Sequence, residues 1–114
     1  MAKNFYVTAK DNYDVAHDDF NINSKRTYSF DFSAWAEDNN NVASATWTVK
    51  RGQAAITGQA LASNVATAQI EGTEEGKSII EILADTGTEK YSAYLNLYVR
   101  DPNKKHTEIL TDYI

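Results

Sequence analysis

From Tyr91 to Arg100 the chain alternates without a break: Tyr91, Ala93, Leu95, Leu97 and Val99 fall on one side, Ser92, Tyr94, Asn96, Tyr98 and Arg100 on the other. A period of two over that length marks a half-buried β-strand, because successive side chains leave a pleated ribbon on opposite faces. A second strand-like run, Lys77 to Ala84, precedes it across Asp85-Thr86-Gly87-Thr88, and the only proline, Pro102, stops it. The two runs are expected to form a β-hairpin, which makes the fold class all-β.

Weaker alternation recurs upstream. Phe5, Val7 and Ala9 oppose Tyr6 and Thr8 in a first strand spanning Asn4 to Lys10. Asp11 to Arg26 is polar and reads as a long connection, with room for a short strand at Phe20 to Ile22. Thr27 to Trp35 sets Tyr28, Phe30, Phe32 and Ala34 inward against Ser29, Asp31 and Ser33. Glu37 to Asn41 is expected to turn, because Asp and Asn side chains satisfy local backbone groups. Ala45, Trp47 and Val49 mark another strand ending near Gly52, followed by segments at Ala54 to Thr57 and Val65 to Ile70, and a turn from Gly72 to Gly76. Although Ala54 to Ala68 is alanine-rich, Gly58, Ser63, Asn64 and its β-branched residues argue against a helix. About seven short strands with turn signals at intervals of roughly 8–12 residues predict an antiparallel β-sandwich. Its expected core includes Phe30, Phe32, Trp47, Val49, Ile80, Ile82, Leu95 and Leu97. Residues 1–102 would form this one domain and 103–114 a tail. No internal repeat is visible.

Composition excludes several functions. The chain has 114 residues and no cysteine, which rules out disulfides and thiolate metal sites. A formal charge of -5, with Lys25-Arg26, Lys50-Arg51 and Lys104-Lys105 as the only basic pairs, argues against nucleic acid. No apolar run approaches the ~20 residues of a membrane helix, and MAKNFYVTAK lacks the apolar core of a secretory signal. The chain is therefore expected to be made and kept in the cytosol unless it leaves as part of a larger particle.

Candidate sites are few. Asp11, Asp14, Asp18 and Asp19 surround His17, but the D-x-D-x-D-G spacing of a calcium loop is missing, so a solvated acidic loop is expected rather than a metal site. His17 and His106 lack a serine in a nucleophile-elbow context and are expected to be exposed loop residues. Glu71, Glu74 and Glu75 sit around a glycine-bounded turn with no cleft to raise a carboxyl pKa. Gly72-x-x-x-Gly76 lacks the Gly-Lys-Ser/Thr ending of a phosphate loop. No catalytic residue, metal ligand or cofactor is expected. Aromatics are the better candidates for contact. Trp35 reads either as core edge or as contact surface. Tyr94 and Tyr98 lie on the wet face of the final strand, as a cross-strand ladder or a protein contact. Beyond Pro102, Ile109, Leu110, Tyr113 and Ile114 give the tail an apolar set, expected to pack on another subunit or to fold back on its own domain.

Tyr28 to Pro102 resembles a family of small immunoglobulin-like structural proteins from the virions of tailed bacteriophages. The likeness rests on ordered blocks: Tyr28-Ser-Phe-Asp-Phe-Ser-Ala-Trp35, Val42-Ala-Ser-Ala-Thr-Trp-Thr-Val49, Gly72 to Gly76, Thr86-Gly87, and Leu95 to Asp101. The chain departs from the family pattern at Ser78-Ile79-Ile80, where a tyrosine is common, and Ala54 to Ala68 matches no block. The resemblance implies an immunoglobulin-like sandwich and a non-catalytic virion part: a capsid decoration or accessory protein, or a neck or tail-fibre component. Implied partners are major capsid, neck or tail proteins, with a homo-oligomer as a further option. The competing expectation is a carbohydrate-binding or adhesion sandwich at a cell surface, with Trp35 and the tyrosines stacking on sugars.

Overall fold

In chain order the elements are β1 (Lys3–Tyr6), β2 (Val15–Asn21), β3 (Lys25–Asp31), α1 (Ser33–Asn39), β4 (Ser44–Arg51), β5 (Ala54–Ala62), β6 (Val65–Gly72), β7 (Gly76–Asp85) and β8 (Lys90–Arg100). They come from a computed structural model that describes residues 3–8 and 14–101, the side chains of Asp38 and Asn39 apart. The tail beyond Asp101 and residues 9–13 lie outside the described residues, as does His106; the first strand, expected from Asn4 to Lys10, ends at Tyr6, with Val7 and Thr8 outside it.

Two four-stranded sheets, ordered β1-β3-β6-β5 and β2-β8-β7-β4, form an all-β sandwich. The final hairpin pairs Gly76 with Val99 through Asp85 with Lys90, as its alternation predicts. Pairing is not wholly antiparallel: β1 runs parallel to β3, and β2 parallel to β8. Alternation fixes which side chains go inward but is silent on strand direction, so these long-range pairs were not legible. Nor is β8 an edge strand, since β2 and β7 flank it.

The core closes between the sheets. Tyr28 and Phe30 on β3, with Ala66, Ala68 and Ile70 on β6, face Ile80, Ile82 and Ala84 on β7 and Ala93, Leu95, Leu97 and Val99 on β8. Small alanines leave room for the rings: Phe30 meets Trp47 edge-on at 5.6 Å and Phe5 at 5.2 Å. Such offset and edge contacts suit the ring quadrupole. Seven of the eight expected core residues are buried. Val49 is only partly so, beside the register shift between Val49 and Arg51.

Two segments differ from expectation. Asp11 to Arg26 is not one long connection, because Val15–Asn21 is a seven-residue strand. Asp18 occupies its inward position between Ala16 and Phe20 and hides the pattern. The strand expected to reach Trp35 ends at Asp31, and Glu37 to Asn39 is helix, not turn. Asp31 Oδ1 accepts from the Ser33 N–H at 2.9 Å, and the chain coils for seven residues with Trp35 and Ala36 buried and Ala34 exposed. A helix that short carries too few positions to reveal a 3.6 period.

Candidate docking surface

The outer face of the β2-β8-β7-β4 sheet gathers both tyrosines singled out by the alternation. Register lays its side chains in rows: Val15, Tyr94, Glu81 and Thr48; then His17, Asn96 and Ile79; then Asp19, Tyr98 and Lys77. Glu81 organises the first row. It accepts from Ser92 Oγ at 3.0 Å and from Tyr94 Oη at 3.3 Å, and pairs with Lys50 at 3.6 Å. Tyr94 is thus half-buried in a cross-strand ladder. Tyr98 differs: it is 49% exposed, with the Lys77 ammonium 5.9 Å from its ring centre. Half-buried Ile79 and Leu83 add apolar surface to the same face. On this face Glu81 ties Ser92, Tyr94 and Lys50 together, while Tyr98 stays exposed.

At the β2 edge a shallow depression of about 290 Å³ is lined by His17, Asp18, Asp19 and Tyr98. His17 is exposed there, on a strand rather than a loop. Asp19 pairs with Arg100 at 2.5 Å. Asp18 turns inward, its side chain only 9% exposed. It accepts from Tyr28 Oη at 2.6 Å and from Arg26 at 2.7 Å, with Lys3 3.9 Å away. Burial works to raise its pKa, but the bonds from Tyr28, Arg26 and the Asp19 N–H, with the Arg26 charge, hold the carboxyl below its ordinary value. Burial, then the Asp18 carboxylate, push the Tyr28 phenol well above its ordinary range. Arg26 is held protonated by the same contact.

Asp14 anchors the opposite end. Tyr91 Oη donates to its carboxylate, Thr8 N–H donates to Oδ1 at 3.2 Å, and Tyr94 N–H donates to its carbonyl at 2.9 Å. Burial and then Asp14 raise the Tyr91 phenol, whose ring stacks on Trp35 at 5.9 Å. Trp35, 8% exposed, lies at the core edge, the first of its two expected readings. Glu74 and Glu75 occupy the turn between β6 and β7. Among the described residues no group of three or more His, Cys, Asp or Glu is placed to hold a metal ion. No helix among them is long and apolar enough to cross a membrane. Ile109, Leu110, Tyr113 and Ile114 lie outside the described residues.

The sequence reading missed Asp14, Asp18 and Arg26 as structural anchors. One signal was available for Asp18: a carboxylate at an inward position between Ala16 and Phe20 must find partners, since burying a lone charge is prohibitive.

Residues 21–89 match the family described as "Podophage GP4 fiber-tail adaptor protein gp77". The search of curated proteins returned no match. Among solved structures, the cysteine protease inhibitor EhICP2 from Entamoeba histolytica superposes with a TM-score of 0.52 at 11% identity, covering 87% of this chain and 97% of that one. PbICP-C, solved in complex with falcipain-2, gives 0.52 at 9% identity, covering 86% and 99%. The endo-fucoidan hydrolase MfFcnA4_H294Q gives 0.51 at 14% identity, over 76% of this chain but 13% of that one. At these identities the likeness is one of fold.

Proposed function

The chain belongs to the podophage GP4 fiber-tail adaptor family, a tail-associated structural family of phages, and from that premise we propose that it is a non-catalytic joint between tail and fibre. The family match over residues 21–89 carries this reading, and it favours the tail over the capsid among the placements expected from sequence. In this proposal the outer face of the β2-β8-β7-β4 sheet, centred on Tyr98, docks against a tail or fibre protein. Tyrosine gives a contact large area for little lost entropy, and a face already ordered by its own bonds needs little reorganisation to bind. The non-catalytic reading is supported by the acids themselves: Asp14, Asp18, Asp19 and Glu81 all hold bonds within the fold. We also propose that the sandwich is immunoglobulin-like. In support, β3-β6-β5 faces β4-β7-β8, the division of strands B, E, D and C, F, G in that fold.

The adhesion alternative loses the indole it leaned on, since Trp35 is buried. The tail residues Ile109, Leu110, Tyr113 and Ile114 are proposed as a second docking element. Two measurements test the role. Gold-labelled antibody against this protein should mark the tail–fibre junction of intact virions; capsid labelling, or absence of the protein from purified particles, would overturn it. Deleting residues 104–114 should abolish partner capture at an unchanged melting temperature. A lower melting temperature with capture intact would instead assign the tail to its own domain.

A further inference from the structure

Each sheet of a sandwich ends in two strands whose outer backbone groups lack a neighbour, and such edges pair with other chains unless guarded. Here the edges are β1 and β5 in one sheet, β2 and β4 in the other. Three carry a guard of their own. β1 is only four residues long. β2 turns the charge of Asp18 inward. β5 breaks register between Thr57 and Ala60, around Gly58 at φ +64°. β4 has a register shift of its own at its end, between Val49 and Arg51, but among the described residues no guard in its central span. Its inward residues Ala45, Trp47 and Val49 are apolar, it contains no glycine or proline, and Thr46, Thr48 and Val49 are β-branched. Lys50 and Arg51 guard only its last two positions.

Among the described residues, one side-chain contact meets that edge. The Trp47 N–H points away from β7 and donates to Gln59 Oε1 at 3.4 Å. Gln59 lies in the stretch between Thr57 and Ala60 where β5 loses register with β6. We propose that the outer edge of β4 is a latent strand-pairing surface for a second copy of this chain, and that Gln59 is the side chain that keeps it shut. Alternation puts the Ala45 and Val49 backbone groups on the same outer edge as Trp47. Antiparallel pairing of two such edges about Trp47 brings Lys50 of one copy beside Ser44 of the other, whose strand neighbour is Asp85. Pairing in this sense sets the Lys50-Arg51 end of one copy against the uncharged Ser44 end of the other, so like charges do not meet under two-fold symmetry. A free N–H in the middle of a β-branched edge is what an incoming strand uses first, and Gln59 occupies it with a group that cannot propagate a ladder.

The test is sedimentation over a concentration series for the parent, Gln59→Ala, Gln59→Glu and Gln59→Ala/Thr48→Lys. Gln59→Ala should self-associate at least roughly tenfold more tightly than the parent. Gln59→Glu keeps an acceptor for the Trp47 N–H and should match the parent. The double variant, with a lysine added to the edge, should return to the parent's behaviour. Folded Gln59→Ala sedimenting like the parent overturns the proposal, as does association that Thr48→Lys leaves intact. Amide exchange in the unaltered protein tests the contact without any variant. The Trp47 amide should exchange at least about tenfold more slowly than those of Ala45 and Val49, and equal rates would remove the cap and the proposal with it.

Discussion

Asp18 shows how one side chain can hold an edge strand. Its carboxylate lies on the core side of β2, where an unpaired charge could not stay, and Tyr28 and Arg26 satisfy it. Asp18→Asn should cost about 2–3 kcal/mol at neutral pH, the worth of hydrogen bonds to a charged group; urea unfolding measures it, and parent-like stability would contradict the role. The pH dependence follows from the shifts. The Asp18 pKa is lower folded than unfolded, so its contribution is complete above the unfolded value near ~4 and lost as pH falls through the folded one. Tyr28 and Tyr91 are raised, so theirs is complete below the unfolded value near ~10 and lost as pH climbs through the folded ones. A stability profile against pH should therefore fall at both ends, with a shallower acid limb in Asp18→Asn. Trp47 makes the opposite case. Its Nε1 is buried with no partner among the described residues, so shape holds it in place. Trp47→Phe should cost about 1–1.5 kcal/mol and Trp47→Ala about 3–5 kcal/mol. Equal losses in chemical denaturation would show that the N–H matters after all.

Among the elements, the turn between β5 and β6 depends on Asn64. Ser63 and Asn64 both have positive φ, 50° and 68°, as a tight two-residue hairpin turn requires. Asn64 also secures the loop after α1: its Oδ1 accepts from Val42 N–H at 2.8 Å and its carbonyl from Phe32 N–H at 2.8 Å. Asn64→Gly keeps the left-handed backbone and loses the side-chain bond, for about 1 kcal/mol. Asn64→Ala loses the bond and adds left-handed strain of about 1 kcal/mol or more. Thermal melts should therefore rank parent, glycine variant, alanine variant; alanine equal to glycine would discount the strain. Gly72 matters through packing instead, since a Cβ there would sit 2.7 Å from Val99 and 2.9 Å from Phe20.

For the whole molecule, stability and contact are separable. Core residues of β7 and β8 hold the sandwich, whereas Tyr98 projects from the same hairpin without filling any part of it. Tyr98→Ser should change stability by under about 0.5 kcal/mol, as surface substitutions do. It should weaken capture of the tail or fibre partner more than about tenfold, as loss of an aromatic anchor does. Paired calorimetry and binding measurements check this. A stability loss with binding intact would return Tyr98 to the cross-strand ladder.

Period-two alternation in Tyr28–Asp31, Ala45–Val49, Ile80–Ala84 and Tyr91–Arg100 determined the all-β class and nearly all of the core. Burial of one strand face is a local demand written at every second residue. Gly72–Gly76 and Asp85–Thr88 likewise announced their turns, because turn geometry is set by the few residues within it. Pairing between distant strands leaves no such local trace. Only the tertiary structure decided that β1 and β2 pair in parallel, that β8 lies inside its sheet, and that Trp35 is buried on a helical turn. The same holds for Asp18 and Gln59. Each looks like an ordinary polar residue in sequence and takes its role from a partner 8 to 12 positions away, reached only once the two sheets have closed on each other.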